Sequence, residues 1–457
     1  MTQITPTAVP RPLISTRKIV HISMLGFAFL LPFLTWPEAA GAATLALLFN
    51  LFLLPQLGAD LRKRSAVETP ATGSSAENGM WMGIILYPIS VLALILIYRH
   101  HMEVAAAAWA LMALGDGAAG LAGESIKGTA LPWNSHKTWA GFAAFLLAGT
   151  TGAWVVARWV NPALPANKAL WMCGAAALLG AAVESAPIRL DDNVTVPLIC
   201  GGFIFCVEIM QRSALDSNLP YLGRRALLAI AINAAFALAA LGLKSASRSG
   251  AAMGFVLGTL VYLGWGWKSF VILFAFFVIG SAATRLGYAH KAAGGIAEHH
   301  GGARSWREAL ANVAPGAFFA GLVITTHYER AFLIAFVAAF AEAVGDTVSS
   351  EIGQWLSSRA YLITSFRLVP VGENGGVSPS GSAAGLAAAA VIALLALGLR
   401  LVSPGGAAIA LGAAVAGNVT DSVLGATLER RGLITNGVVN FAASSFAGAL
   451  ALAFTLR

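Results

Sequence analysis

The chain has 457 residues, 58% of them hydrophobic and only 11% charged, with a formal net charge of +8. A soluble domain carries roughly a quarter charged residues, so this composition excludes an ordinary globular protein and implies a polytopic membrane protein. The basic residues stand between the apolar runs, which fits orientation in a bilayer and attraction to anionic headgroups and not nucleic-acid binding.

Apolar runs predict an all-α integral membrane protein of about fifteen transmembrane helices in two helical domains. The runs are 19–36, 39–57, 82–98, 104–122, 139–157, 169–186 and 194–210, then 226–243, 251–263, 270–283, 309–324, 331–344, 383–399, 407–424 and 438–454. The polar, proline-containing stretch 211–225 is the expected junction, giving domains at 1–210 and 226–457. The stretch 69–78, TPATGSSAEN, reads as a flexible surface loop. Arg17 and Lys18 before the first run and the small residues at 39–43 would suit a signal peptide, but the apolar run that follows at once favours a retained span. Cys173, Cys200 and Cys206 lie inside apolar runs, lack metal spacing and read as packing residues.

Arg11, Arg17 and Lys18, with Arg62, Lys63 and Arg64 after the second run, place the N-terminus in the cytoplasm, in a cytoplasmic (inner) membrane. Counting alternately, the loops 123–138, 187–193, 244–250, 284–308, 345–382 and 425–437 share the cytoplasmic side, and they hold nearly all the paired acids and lysines. The stretch 211–225, with Arg212, Arg224 and Arg225, counts as outside and breaks the pattern.

In the first half, residues 114–141 read LGDGAAGLAGESIKGTALPWNSHKTWAG. Asp116 ends a helix of small residues; Glu124, Lys127, His136 and Lys137 follow. A carboxylate for Mg²⁺ and two lysines for phosphate are what phosphoryl transfer needs, since its catalysis is mostly positioning and charge stabilisation. A helix-packing reading explains Gly115, Gly117, Gly120 and Gly123 but not Asp116, and an ionisable residue in a span is a functional hypothesis by default. Further on, Glu184 ends a run while Asp191, Asp192 and Asn193 precede the next; they are helix caps, or Glu184 and Asp192 complete the metal site.

In the second half, Lys244 and Arg248 form a hydroxyl-rich basic turn, suited to phosphate or to anchoring. The loop that follows holds Lys291, Arg304 and Arg307; its adjacent His299 and His300 point apart and chelate poorly. Residues 340–382 gather Glu342, Asp346, Ser349, Ser350 and Glu351 at a helix end, then Arg359, Arg367 and a loop with Asn374 and Ser378. Asp346 and Ser350 share a helix face at i, i+4 and can offer hard oxygens to a divalent cation; a capped helix end with a solvated loop explains the same spacing equally well. Asn418 and Asp421 share a face at i, i+3, and Asn436 and Asn440 stand at i, i+4.

Four blocks, RKIVHIS at 17–23, LGDGAAGLAG at 114–123, PWNSHKTWAG at 132–141 and VESAPIRLDDNVTVPL at 183–198, resemble the phytol kinase branch of the dolichol kinase and cytidylyltransferase superfamily. The resemblance implies a CTP-dependent kinase of a long-chain isoprenoid alcohol, with Asp116 at metal and triphosphate and Lys127 and Lys137 near the phosphates. Glu124-Ser125 departs from it, where that family often has a basic residue. A second set is LKSASRSGAAMG at 243–254, GGARSWREALAN at 301–312, GDTVSSEIG at 345–353, VPVGENGGVSPSGS at 369–382, DSVLGATLE at 421–429 and NGVVNF at 436–441. It resembles the membrane family that includes phytyl-phosphate kinase and its animal transmembrane relatives, departing at Gly345, usually alanine, and in the short loop after Glu429.

Together these imply a bifunctional phosphotransferase that takes a phytol-like alcohol to its monophosphate and then its diphosphate, using Mg²⁺ and CTP or another nucleoside triphosphate. Its expected catalytic acids are Asp116, Asp346 and Asp421, and its expected metal ligands Asp116, Glu184, Asp192, Asp346, Glu351 and Asp421. Its expected phosphate contacts are Lys127, Lys137, Lys244, Arg248, Arg304, Arg367, Asn374 and Ser378. Its partners are the bilayer, the isoprenoid alcohol and the monophosphate, with no nucleic acid and the oligomeric state open. One rival is a cytidylyltransferase, which would attack the α-phosphorus of CTP and release pyrophosphate. The other is a transporter, whose acids belong near the membrane midplane and not at one surface.

Overall fold

The computed structural model describes residues 16–54, 74–126, 128–186, 190–293 and 304–456. Arg11, the basic triplet at 62–64, Lys127, His299 and His300 lie outside them. The chain divides into two compact units, Met1–Ile209 and Met210–Arg457.

Each apolar run is helical, because backbone N–H and C=O groups in hydrocarbon have no water and must pair within their own segment. Among the described residues eleven helices are long and apolar enough to cross a membrane, against the fifteen expected. The runs at 19–36 and 82–98 yield the shorter apolar helices Ile19–Phe33 and Gly83–Ile97. The run at 194–210 forms a helix of 17 residues, and that at 251–263 a helix of 18 whose first turn carries Arg248 and Ser249.

The first unit comprises α1 (Thr16–Ser23), α2 (Trp36–Leu53), α3 (Ser74–Ile97), α4 (Met102–Ser125), α5 (Trp139–Val160), α6 (Ala166–Ser185) and α7 (Asp192–Glu208). The expected loop at 69–78 is thus already helical from Ser74. A helix apolar on all sides belongs inside, and residues 103–113 of α4 are all buried. A Cβ on Gly115 would come within 2.8 Å of the Phe145 ring, so only glycine lets α5 approach this closely. Just there, at Leu111–Asp116, α4 widens into a π turn. A hairpin of β1 (Ala130–Leu131) and β2 (Asn134–Thr138) joins α4 to α5. All three cysteines are free and buried, as packing residues should be.

The opposite end of α4 is held by His101, whose Nδ1 lies 3.7 Å from Glu103 and 3.6 Å from Glu208. Glu103 and then Glu208 hold the imidazolium, pushing the His101 pKa up to about 9. Only two acids at the edges of apolar runs, Glu103 and Glu208, hinted at this cluster.

The second unit comprises α8 (Arg212–Gly242), α9 (Arg248–Trp265), α10 (Trp267–Arg285), α11 (Tyr288–Ala293), α12 (Trp306–Thr325), α13 (Glu329–Leu356), α14 (Pro379–Gly398), α15 (Pro404–Glu429) and α16 (Asn436–Thr455). The expected junction at 211–225 is corrected: it is the first half of α8. Ala214, Asn218, Leu222 and Arg225 form its inward stripe while most polar residues stay exposed, and Asn218 Nδ2 donates to the Ile324 carbonyl at 3.1 Å. The expected helix end at Asp346 is corrected too, because α13 runs on for about three turns to Leu356. Beyond it lie β3 (Ala360–Leu362), β4 (Leu368–Val369) and β5 (Gly376–Val377), an antiparallel sheet in the order β4-β3-β5.

Lys291 of α11 and Glu351 of α13 form a buried ion pair, and Lys291 Nζ also donates to the Thr284 carbonyl at 3.0 Å. Lys291→Met would strand the Glu351 charge and should destabilise the protein by about 3–5 kcal/mol, whereas Lys291→Met with Glu351→Met should recover most of it. Thermal unfolding of both variants in detergent checks this; equal losses would deny the coupling.

Candidate active site

In the first unit, four helices and the hairpin bring a set of charges to one place. Ligand oxygens of Asp116, Glu184 and Asp192 all lie within 4.8 Å of one another. Asp116 sits at the end of the π turn, Glu184 at the end of α6, and Asp192 in the first turn of α7. Lys137, on β2, pairs with Glu184 and stands 3.7 Å from Asp192. The hairpin is fixed by Asn134 Nδ2 donating to the Ser185 carbonyl at 3.1 Å and by the Trp133 indole N–H donating to Ser185 Oγ at 3.3 Å. His21 completes the ring, with Nε2 3.7 Å from Asp116 and 3.0 Å from the Met112 carbonyl.

Burial works against the Lys137 ammonium, but Glu184, Asp192 and Asp116 outweigh it and raise its pKa. Burial, and next the charge of Asp116, push Asp192 up to about 7. Three converging carboxylates are the hard oxygen donors Mg²⁺ prefers, and a lysine among them can turn to a phosphate. Asp191 instead caps α7, accepting from the Asn193 N–H at 2.9 Å. Lys127 lies outside the described residues.

In the second unit, a cavity of about 450 Å³ is lined by Asp346, Asp421, Asn418, Ser349, Ser350 and Glu429, among others. The carboxyl groups of Asp346 and Asp421 interact directly, and Asp421 Oδ2 is buried without a hydrogen-bond partner. That orphaned oxygen beside a second acid fits a divalent cation as its missing partner. Behind them Glu342, one turn before Asp346, is buried against Ser444, and its Oε1 too has no partner. The segment from Val371 to Ser378, including Asn374, closes the cavity. It rests on the π turn Gly425–Glu429 of α15, and is pinned by Arg430 to Glu373 at 3.1 Å. Gly375, at φ +74°, meets Ala426 so closely that any side chain would clash.

Ser378 caps α14, accepting from the Gly381 N–H at 3.2 Å, and with Ser382 and Asn436 it lines the cavity where α14 and α16 begin. Two helix N-termini at one cavity suit an anion such as phosphate. No lysine or arginine lines it among the described residues. Lys244 is exposed before α9 and Arg248 in its first turn, and Arg367 is exposed in the β3–β4 turn, so the structure does not bring these three in. Arg304 does not line it either, but its charge lies near enough to act on the Asp346 carboxylate. Glu351, expected as a metal ligand, points away and is spent on Lys291.

Sequence comparison gives these clusters a context. The integral membrane protein DUF92 family model matches residues 231–448. The uncharacterized membrane protein sll0875 of Synechocystis is 36% identical over 193 residues, 40% of this chain and 73% of its own length. The chain belongs to the DUF92 family of integral membrane proteins. Protein VTE6, chloroplastic, of Arabidopsis thaliana is 37% identical over 201 residues, 42% of this chain, and phytol kinase 1 of the same plant 25% over 195 residues, 40% of this chain. These matches span 60% of the length of VTE6 and 63% of the phytol kinase. No solved structure matches the chain. The DUF92 stretch includes Asp346, Asp421 and the whole loop that closes their cavity, whereas the carboxylates gathered around Lys137 lie outside it.

Of the residues now seen together, sequence reading gave no site role to His21, and grouped Glu342 with Asp346 without giving it one. His21 stood in a recognised block without a role, and Glu342 was legible as the acid one helical turn before Asp346.

Proposed function

We propose that this protein is a bifunctional prenyl phosphotransferase: the first unit phosphorylates a long-chain isoprenoid alcohol and the second phosphorylates the resulting monophosphate. The observation that carries the reading is that each unit holds its own acid cluster beside groups able to bind phosphate: Lys137 in one, two helix N-termini in the other. The similarity to phytol kinases supports a phytol-like substrate. The acids would hold Mg²⁺, which when bound neutralises the triphosphate charge.

In the first unit the alcohol oxygen attacks the γ-phosphorus of a nucleoside triphosphate, the bond to the β-phosphate oxygen breaks, and the nucleoside diphosphate leaves. The hydroxyl proton passes to water at the site, and Lys137, paired with Glu184 beside Asp192, steadies the transferred group. In the second, a phosphate oxygen of the monophosphate is the nucleophile. CTP is the donor favoured for the first step, with the sites facing the cytoplasm of an inner membrane. Because a prenyl monophosphate stays in the bilayer, a second site on the same chain meets it at raised effective concentration.

The decisive experiment supplies purified protein with phytol, farnesol or geranylgeraniol, or their monophosphates, and each nucleoside triphosphate in turn. The expected products are prenyl monophosphate and diphosphate with nucleoside diphosphate released. Pyrophosphate release with a CDP-linked product would favour cytidylyl transfer, and no phosphorylated lipid at all would end the proposal.

A further inference from the structure

Between α8, α9, α10 and α12 lies a second, smaller cleft of about 80 Å³ that the reactions above do not use. Its walls are Phe236, Phe255, Phe276 and Phe277 with Leu273, and its floor is bare backbone at Gly250, Gly254 and Gly280. One end is different. There the Arg304 guanidinium reaches over Gly280, since a Cβ on that glycine would lie 3.6 Å both from Arg304 Nη2 and from Thr347, the neighbour of Asp346. Arg304 is fixed by its backbone, its N–H donating to the Ser245 carbonyl and its carbonyl accepting from the Ser247 N–H, each at 3.0 Å. Glu308, the acid at this end, accepts from the Ser305 N–H in a capping box. Asn312, also at this end, is tied to Asn440 at 3.2 Å.

We infer that this cleft receives the first isoprene units of the prenyl monophosphate, with Arg304 holding the phosphate at the edge of the Asp346 cavity. The inference rests on the second reaction proposed above and adds where its lipid substrate sits. An aromatic trough ending in one positioned guanidinium matches an amphiphile with an anionic head and a branched apolar tail. The same arginine lines the trough and meets Thr347, the neighbour of Asp346, across Gly280, so the phosphate it holds is near the acids. The cleft is short, and the rest of the tail continues into lipid.

Gly254 offers a clean test, because it lines the cleft and a Cβ there would meet no atom within 4 Å. Gly254→Phe starts a large side chain in open space at the trough and removes a helix-interior glycine, so it should fold. Gly412→Phe, at an exposed glycine of α15 with equally open space, is the control. Full-length protein in phospholipid nanodiscs is photolabelled with a C20 prenyl monophosphate carrying a diazirine on the isoprene unit next to the phosphate. We expect labels within residues 236–255 and 273–280, competed by unlabelled C20 monophosphate but not by the excess bilayer lipid. Labelling should fall at least tenfold in Gly254→Phe and stay unchanged in Gly412→Phe. Labels elsewhere, or undiminished in Gly254→Phe, would overturn the inference. Turnover by the wild type reads the reaction separately: labelling without phosphorylation keeps the cleft and removes the proposed second activity.

Discussion

Replacing Asp346 by asparagine should stop diphosphate formation, so that prenyl monophosphate accumulates from the alcohol. A phosphoryl-transfer site that loses one metal-binding carboxylate loses about 4 kcal/mol of transition-state stabilisation, roughly a thousandfold in rate. The fold should tolerate the change. The carboxyl groups of Asp346 and Asp421 lie together, and Asp421 Oδ2 is buried without a partner, so without ligand they oppose folding. Removing one charge at nearly constant shape should leave thermal stability unchanged or higher. A structural role predicts the reverse, since the loss of a buried polar contact would lower stability by about 1–3 kcal/mol and spare turnover. Diphosphate made at near wild-type rate by folded Asp346→Asn protein would return this cavity to a structural role.

The helical membrane fold was legible because each apolar run has only one way to satisfy its backbone in lipid. Its limits were less so. Asp346 looked like a helix end because polar residues begin there, yet α13 continues, since α14 packs against it closely enough that Gly385 meets the Gly345 carbonyl. The polarity marks a cavity inside the unit, not the end of an element. The same error made a loop of 211–225, where a narrow inward stripe suffices to hold α8 while its charges face out. The placement of acids at a surface, offered against a transporter, therefore loses its basis in helix ends; what remains is the chemistry of the two clusters.

Among site residues, those tied to a helix terminus or a turn were readable and long side chains were not. Asp116, Glu184 and Asp192 were recognisable from one side of the predicted topology, and the structure gathers them. Lysines and arginines reach too far for spacing to decide their partners: Arg304 turns toward Gly280 and Thr347, Lys291 takes Glu351, while Lys244, Arg248 and Arg367 stay exposed. Spacing likewise could not say which face of α13 looks into the cavity. Asp346, Ser349, Ser350 and Gly353 do, and Glu351, between them in sequence, does not.

Asp116→Asn should give the complementary result, loss of alcohol phosphorylation with conversion of supplied monophosphate intact. Asp116 is one of three carboxylates whose oxygens lie within 4.8 Å of one another, and the other two are already engaged by Lys137. Without Asp116 the two remaining carboxylates face the Lys137 ammonium, which halves the net negative charge of the cluster and weakens its hold on a divalent cation. Loss of roughly a thousandfold is expected, again about 4 kcal/mol. Folding should survive, because the contact of Asp116 with His21 is long, at 3.7 Å, and the packing around the π turn comes from Gly115 and Phe145. Mg²⁺ titration supplies a readout that a packing role would not move: the wild-type first step should saturate with the metal, and the residual activity of Asp116→Asn should need far more. The second step, measured in the same preparation, should keep its wild-type Mg²⁺ dependence. Failure of both steps together in a folded Asp116→Asn protein would mean that the two clusters serve one reaction, not two.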